Sequence, residues 1–216
     1  MSMKKNVFIF DMDGVIIDSE PIWREAQIAV LSAQNITITA QDCIQYTMGK
    51  RIDDVALTWC QLYNLTVNPK QIETNILDAV VQLIAEKGAA KVGLYELLNF
   101  LVANKYTIAL ATSSSLRIID AVFDKLQIAS FFTHIGSADN EEFGKPHPAV
   151  YIKVYKKLGY TPQQCIILED SVTGMIAGKA AAITTLVIPE NPNDPRFSLA
   201  DEKLNSMLEV ITYLQA

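Results

Sequence analysis

The chain has 216 residues, of which 50% are hydrophobic and 19% are charged. This composition is typical of a globular protein and excludes collagen-like, coiled-coil and disordered chains. The 24 acidic residues outnumber the 18 basic ones, so the formal net charge is −6. Nonspecific binding of nucleic acid or of a membrane surface needs basic patches, which an acidic chain is poorly equipped to supply. We therefore expect a small-molecule ligand, and neither a nucleic-acid nor a membrane partner.

The cysteines and the apolar segments favour a cytoplasmic protein. The three cysteines are far apart in apolar surroundings, no CxxC pair occurs, and the chain has only two histidines. This pattern disfavours a zinc site and is typical of buried thiols in a reducing compartment. The apolar run at 7–10 stops at Asp11, too early for the core of a signal peptide, and no run is long enough to span a membrane. We expect a cytoplasmic monomer.

Short apolar runs alternate with helical patterns over most of the chain. The runs that predict strands lie at 7–10, 106–111, 132–135, 165–168 and 184–188. The patterns that predict helices lie at 93–104, 115–126, 148–158 and 171–182. This alternation predicts an α/β fold in which helices cover both faces of a parallel sheet. Ligands of such sheets bind beyond the carboxyl ends of the strands.

The stretch 19–87 breaks this alternation and predicts a helical insert. Pro21 suits the first turn of a helix that runs to about Gln34, and residues 51–64 repeat apolar positions at helical spacing. A long amphipathic helix follows, with Asn68 as its N-cap and Gly88 beyond its end. The predicted domains are therefore a core of residues 1–18 and 88–216 and a helical cap of residues 19–87.

Two aspartates, Asp11 and Asp13, directly follow the first predicted strand. Two carboxylates this close repel one another, and each raises the pKa of the other unless a cation or a lysine compensates. A turn carrying two solvated aspartates is the structural alternative. A calcium-binding EF-hand loop is disfavoured because its carboxylate spacing and final glutamate are absent.

Three other strand ends also carry polar groups. Hydroxyls follow the second predicted strand at Thr112 and Ser113, Lys145 lies between a glycine and a proline, and Glu169 and Asp170 follow the 165–168 strand. Helix capping by the hydroxyls (Ser114 or Ser115 included) or by the acids, and a solvated lysine, are the structural alternatives. Together the four strand ends predict phosphoryl transfer. Carboxylates would hold Mg²⁺, hydroxyls and a lysine would neutralise the phosphoryl group, and an aspartate would attack phosphorus.

These strand ends resemble the four motifs of the haloacid dehalogenase superfamily, in its phosphatase and phosphomutase branch. The matching segments are DMDGV at 11–15 followed by DSEP at 18–21, TS at 112–113, GKPHP at 144–148 and ED at 169–170. The resemblance covers the whole chain and implies a Rossmann-like α/β core with a parallel sheet and an inserted α-helical cap. The DSEP segment and the tail at 188–197 look most like bacterial sugar phosphatases that act on 2-deoxyglucose 6-phosphate and related hexose or hexitol phosphates.

The resemblance also implies catalytic roles. Asp11 would be the nucleophile that forms an aspartyl-phosphate, and Asp13 would be the general acid and then the general base. Mg²⁺ would be bound by the Asp11 carboxylate, the backbone carbonyl of Asp13 and Asp170, with Glu169 in support. Asp11 must stay ionised to attack, and the metal together with Lys145 would favour that form.

The phosphoryl oxygens and the sugar would be held by residues of both the core and the cap. In the core, the resemblance assigns the phosphoryl oxygens to Thr112, the Ser113 amide and Lys145. In the cap, the turn containing Gly49 and Arg51 could reach the phosphate or the sugar on closure. Glu20 at the cap hinge is a further candidate. A surface charge at a helix start is the structural alternative for Arg51.

The predicted function is thus Mg²⁺-dependent hydrolysis of small sugar phosphates, with a phosphorylated sugar or sugar alcohol as the partner. The alternatives are a β-phosphoglucomutase-type sugar phosphomutase and a phosphoglycolate or pyrophosphate phosphatase. Related mutases carry a cap histidine shortly after the first motif, whereas this stretch holds Trp23 and no histidine occurs before His134. A non-catalytic binding module would be expected to lack Asp11, Asp13 or Lys145, all of which are present.

Overall fold

One parallel sheet organises the protein, which was analysed as a computed structural model that describes residues 5–47, 50–137, 139 and 141–216. The strands are β1 Val7–Phe10, β2 Thr107–Thr112, β3 His134–Ser137, β4 Cys165–Glu169, β5 Thr184–Val187 and β6 Glu202–Lys203. They form a sheet of order β3-β2-β1-β4-β5-β6 in which every paired neighbour runs parallel. The predicted α/β class is confirmed.

The helices fall into a cap group and a core group. The cap group follows β1 directly and comprises α1 Glu20–Ser32, α2 Ala40–Tyr46, α3 Ile52–Leu62 and α4 Pro69–Lys87. The core group comprises α5 Leu94–Ala103, α6 Leu116–Leu126, α7 Ala149–Lys157, α8 Val172–Ala180 and α9 Met207–Gln215. Among the residues described, no helix combines the length and the apolar character needed to cross a membrane.

The central strand β1 is apolar throughout because both of its faces are covered. Phe8 and Phe10 belong to one buried cluster, whereas Val7 and Ile9 belong to another that also includes Tyr151. Successive side chains of a strand point to opposite faces of the sheet, so an unbroken apolar run fits a strand between two layers of helices. The same logic made the run at 7–10 the clearest strand in the sequence.

Helix α4 joins the cap to the core. Its buried stripe repeats at every fourth residue and consists of Ile72, Ile76, Val80 and Ile84, each with 0% exposure. The helix packs against α1 and α3 on the cap side and against α6 on the core side. As predicted, its N-cap is Asn68, which accepts from the Lys70 amide, and its C-cap is Gly88.

Four elements differ from the sequence-based expectation. Strand β3 begins two residues later than the predicted 132–135 run, because the Phe132 ring packs on Phe10 and Phe123 from the preceding loop. Helices α2 and α9 and the short strand β6 were not delimited from the sequence. A capping box between Thr39 and Asp42 marks the start of α2 and is a signal that could have located it.

A buried glutamine connects the cap helices. Gln27 of α1 accepts from Thr47 Oγ1 at 2.8 Å and from Trp59 Nε1 of α3 at 2.9 Å, and it donates to the Trp23 carbonyl at 3.2 Å. Gln27 is 5% exposed and Trp59 is fully buried. A buried indole N–H needs an acceptor, so this amide fixes α3 against α1.

We predict that Gln27→Leu destabilises the protein, because it leaves the buried Trp59 N–H without its acceptor. The free energy of unfolding should fall by about 1–3 kcal/mol, measured by urea denaturation. Gln71→Leu is the matched control, because Gln71 lies exposed on α4 and should change stability by less than about 0.5 kcal/mol. Equal stabilities of the two variants would contradict the prediction.

Candidate active site

The candidate site is a cavity of about 420 Å³ between the carboxyl ends of the strands and the cap helices. The core contributes side chains from the segments after β1, β2, β3 and β4 and from the loop before α7. The cap contributes side chains from α1 to α4. Because all strands are parallel, their carboxyl ends lie at one edge of the sheet, and the strand-end residues meet there as the sequence predicted.

Lys145 is the central charge of this site. Its ammonium donates to Asp11 Oδ1 and Glu169 Oε1, each at 2.7 Å, and to the Ala111 carbonyl at 3.0 Å. Its side chain is only 5% exposed, so the alternative of a solvated surface lysine is wrong. Burial by itself would lower the pKa of Lys145, but the charges of Asp11 and Glu169 raise it well above its usual value. The ammonium therefore stays protonated.

Glu169 is a partner of Lys145 whose surroundings favour the ionised form of its carboxyl group. It is fully buried and also accepts from Tyr151 Oη at 2.6 Å and from Ser171 Oγ at 3.0 Å. Burial raises its pKa, but Lys145, the Tyr151 hydroxyl and the Ser171 amide more than offset the rise and lower the pKa below its usual value. Glu169 is thus an ionised structural partner of the lysine.

In the protein alone, burial and neighbouring carboxylates disfavour the ionised forms of Asp11 and Asp170. Burial raises the pKa of Asp11 to about 7, despite Lys145, and Glu169 and Asp13 add to the rise. Burial likewise raises the pKa of Asp170 well above its usual value, with further contributions from Glu169 and Asp11. The expectation that Asp11 is ionised therefore requires a positive charge besides Lys145.

The donor set at this point fits a hard divalent cation. Ligand oxygens of Asp11, Glu169 and Asp170 lie within 4.8 Å of one another. Carboxylate oxygens suit Mg²⁺, and a cation there would favour the ionised form of both aspartates. The residues present could therefore hold a metal ion.

Two glycines make room for these carboxylates. Gly14 has φ +76°, and a Cβ built on it would lie 1.8 Å from Asp170 Oδ2. A Cβ on Gly174 of α8 would lie 1.8 Å from Glu169 Oε1. The sequence prediction did not include either glycine among the site residues. Gly14 stands beside the paired aspartates, so its motif contained a signal, whereas Gly174 gave none.

Asp13 is held by three donors from two parts of the chain. Its Oδ1 accepts from Ser19 Oγ at 2.5 Å and from Trp23 Nε1 at 3.1 Å, and its Oδ2 accepts from Ser114 Oγ at 2.6 Å. The alternative of two solvated aspartates is therefore wrong. Helix capping by the hydroxyls is also wrong in detail, because Ser114 binds Asp13 and the N-cap residue of α6, Ser115, makes no side-chain capping bond.

The remaining core candidates lie where β2 meets α6. Thr112 is buried, and its hydroxyl accepts from the Ser114 amide at 3.1 Å. Ser113 is exposed, and both Thr112 and Ser113 line the cavity. Since α6 begins at Leu116, this turn brings hydroxyls close to a helix N-terminus, a favourable setting for an anion.

The cap candidates also border the cavity. Glu20 pairs with Arg24 at 2.6 Å, and Arg51 pairs with Asp53 at 3.5 Å. The Arg51 stem lies against the loop that carries Lys145, because a Cβ on Gly144 would lie 3.4 Å from Arg51 Cδ. Gly49, the other predicted cap residue, lies outside the described residues.

Trp23 borders the candidate site, although the sequence analysis did not include it among the candidate residues. Its side chain is only partly buried, lines the cavity and donates to Asp13. The indicator in the sequence was its position four residues after Ser19, which places both side chains on one face of the first helical turn.

Comparison with known proteins identifies the family. Residues 8–188 match the haloacid dehalogenase-like hydrolases. The chain belongs to this family. It is 36% identical over 206 residues to hexitol phosphatase B of Escherichia coli, with 94% of this chain and 92% of that protein covered. It is 27% identical over 175 residues to a phosphorylated carbohydrates phosphatase of Thermotoga maritima, with 81% of each chain covered.

A solved structure gives the same result for the fold of this haloacid dehalogenase-like hydrolase. The crystal structure of CbbY from Rhodobacter sphaeroides in complex with phosphate is similar with a TM-score of 0.85, covering 95% of this chain and 96% of that chain. At 21% sequence identity this likeness shows the fold alone. The predicted family, with its α/β core and inserted helical cap, is confirmed.

We predict that Gly174→Ala destabilises this protein, although the same change inside a helix normally stabilises by about 0.5–1 kcal/mol. The new Cβ would overlap the Glu169 carboxylate and push it from Lys145, at a cost of about 1–3 kcal/mol in the free energy of unfolding. Urea denaturation measures the change, with Thr173→Ala at the exposed neighbouring position as control. A Gly174→Ala protein more stable than the wild type would contradict this packing.

Proposed function

We propose that this protein is a Mg²⁺-dependent phosphatase of small sugar or sugar-alcohol phosphates that works through an aspartyl-phosphate. The observation that carries the proposal is the buried Lys145 shared by Asp11 and Glu169, beside Asp170 and at the cavity between the strand ends and the cap helices. The family match and the phosphatases among its relatives support the enzyme class predicted from the sequence, a phosphoric monoester hydrolase.

Asp11 is the proposed nucleophile. Its carboxylate attacks phosphorus, a bond forms between a carboxylate oxygen and phosphorus, and the bond from phosphorus to the sugar oxygen breaks. Lys145, at 2.7 Å from Asp11, lies close enough to stabilise charge on the phosphoryl oxygens. Thr112 at the end of β2 and the Ser113 amide, in the turn that leads to α6, complete the proposed phosphoryl cradle.

Asp13 is the proposed general acid and base. It gives a proton to the departing sugar oxygen and then takes one from the water that hydrolyses the aspartyl-phosphate, so protons balance over the cycle. Two of its donors, Ser19 and Trp23, lie at the start of the 19–87 segment, and the third, Ser114, lies in the core. These contacts orient its carboxylate in the cavity.

The proposed metal ligands are the Asp11 carboxylate, the Asp13 carbonyl and Asp170, with Glu169 in support. When bound, Mg²⁺ would neutralise negative charge on the phosphoryl group and the carboxylates. The protein's own contribution is a cluster of three carboxyl groups, in which the pKa values of Asp11 and Asp170 are raised despite Lys145.

The proposed substrates are hexose and hexitol phosphates, since the relatives named above are a hexitol phosphatase and a phosphatase of phosphorylated carbohydrates. Residues 19–87 are proposed to be the cap domain that closes over the substrate, with Glu20, Gly49 and Arg51 as candidate contacts. The stretch in which related mutases carry a histidine holds Trp23, whose indole can only donate a hydrogen bond. This feature favours the phosphatase over the mutase. A cytoplasmic location and a monomeric state remain predictions.

We predict that the protein releases phosphate from hexose and hexitol phosphates in Mg²⁺ but not in EDTA. The panel comprises 2-deoxyglucose 6-phosphate, mannitol and sorbitol phosphates, β-glucose 1-phosphate, phosphoglycolate and pyrophosphate. Asp11→Asn should lower turnover by at least about a thousandfold, because the nucleophile is lost. Asp18→Asn is the matched control, since Asp18 is exposed and borders no part of the cavity.

Three outcomes would contradict this function. Conversion of β-glucose 1-phosphate to glucose 6-phosphate without phosphate release would identify a mutase. A clear preference for phosphoglycolate or pyrophosphate would identify the other alternative. Substantial activity in a folded Asp11→Asn protein would exclude the covalent route.

We predict that Mg²⁺ stabilises the folded protein through the Asp170 site. At about a hundredfold excess over its Kd, a ligand adds about 2.7 kcal/mol, which raises the Tm of a chain of this size by roughly 5–10 °C. Asp170→Asn should remove most of this rise in a thermal-shift assay. Asp139→Asn is the control, because Asp139 lines the same cavity but lies outside the acidic cluster. An equal Mg²⁺-induced rise in all three proteins would contradict the assigned ligands.

A further inference from the structure

Away from Lys145, Asp11, Asp13 and Asp170, the cavity is lined by charged side chains of both signs in equal number. Among the described residues, four are cationic and four anionic: Arg24, Lys50, Arg51 and Lys70, and Glu20, Asp53, Glu73 and Asp139. We call this set the charged wall. Seven of its members belong to the cap, and Asp139 follows β3 of the core.

Most cations of the charged wall already have an acidic partner. Three ion pairs join neighbouring residues of the cap, at 2.6 Å for Arg24–Glu20, 3.5 Å for Arg51–Asp53 and 2.6 Å for Lys70–Glu73. The fourth cation, Lys50, donates to Thr58 at 2.9 Å. The wall therefore offers many hydrogen-bonding groups but little net positive charge.

Glu73 is the most unusual member of the charged wall. It lies on α4 between the fully buried Ile72 and Ile76, and its side chain is only 12% exposed. A carboxylate is rarely buried unless it is paired, and the partner of Glu73 is Lys70, which is 74% exposed and lies 2.6 Å away. Glu73 therefore keeps a negative charge fixed in the cavity wall.

Lys70 is surrounded by acids. Its hydrogen bond and charge interaction with Glu73 raise its pKa, and the charges of Asp53 and Asp139 add to the rise. The latter two come from α3 and from the loop after β3. A cation with several acidic neighbours is poorly available to a further anion.

From these contacts we propose that the charged wall selects the uncharged polyhydroxyl part of a monophosphate and rejects a second phosphate group, with Glu73 as a specificity-determining residue. This inference rests on the proposed function of the same cavity. A phosphate monoester carries a charge of about −1.5 to −2 at pH 7 and needs several uncommitted cations, whereas three of the four cations of the wall are paired with acids. Sugar hydroxyls both donate and accept hydrogen bonds, so they can donate to the carboxylates of the wall and accept from its cationic side chains.

The test compares ligands that share one sugar and differ by one phosphate. Fructose 1-phosphate, fructose 6-phosphate and fructose 1,6-bisphosphate are titrated in Mg²⁺ into Asp11→Asn, and their Kd values are measured by calorimetry. We expect the better monophosphate to bind at least about tenfold more tightly than the bisphosphate, because like charges in a binding site repel. Binding to this variant requires no turnover.

Substitutions in the Asp11→Asn background assign the preference to the wall. Glu73→Gln keeps the shape of the side chain and frees Lys70, so bisphosphate affinity relative to monophosphate should rise at least about threefold. Asp53→Asn, at an exposed position, should act in the same direction by freeing Arg51 and serves if Glu73→Gln folds poorly. Glu25→Gln is the matched control, because it removes one negative charge from the cap outside the cavity.

The outcomes separate this inference from the proposed function. Equal binding of monophosphate and bisphosphate, or a ratio that both wall variants leave at the control value, would overturn the charge selection while leaving phosphatase activity intact. Binding of none of the three ligands, together with no phosphate release by the wild type, would overturn both.

Discussion

The ion pairs of the buried Lys145 are the interaction on which the rest of the site depends. One ammonium is shared by Asp11, after β1, and Glu169, at the end of β4. Burying so much charge is unfavourable unless every group is paired and hydrogen-bonded. The parallel pairing of β1 with β4 meets this condition, since Phe10 lies beside Leu168 and the next residue of each strand points its carboxylate at the same lysine.

The two aspartates after β1 differ because their surroundings differ. Burial and the neighbouring carboxylates raise the pKa of Asp11, and a bound cation would lower it. This environment suits a nucleophile activated by a metal. Asp13, two residues on, is bound by three neutral donors, two of which come from the start of the cap. The orientation of Asp13 therefore depends on the position of α1, and in the proposed function this dependence would link proton transfer to closure of the cap over the substrate.

Features that depend on interactions between neighbouring residues could be predicted from the sequence, whereas features that depend on contacts between residues far apart in the chain could not. The strands at 7–10 and 165–168 and the helix from Asn68 to Gly88 were predictable, because periodicity and capping are local. Strand β3 was misplaced because the contact of Phe132 with Phe10 and Phe123 is long-range. Helix α2 was not predicted because it spans only seven residues, too few for a clear helical periodicity.

The sequence by itself determined the family, the α/β class and which polar residues stand at the strand ends, since a parallel sheet brings consecutive strand ends to one edge. Only the tertiary structure decided which partner each charged group has. Lys145 binds Asp11 across 134 positions of sequence, and Ser114 binds Asp13 across 101. Such pairings, like the placement of Trp23 and Glu73 in the cavity wall, depend on how packed elements approach one another, and no local pattern encodes that approach.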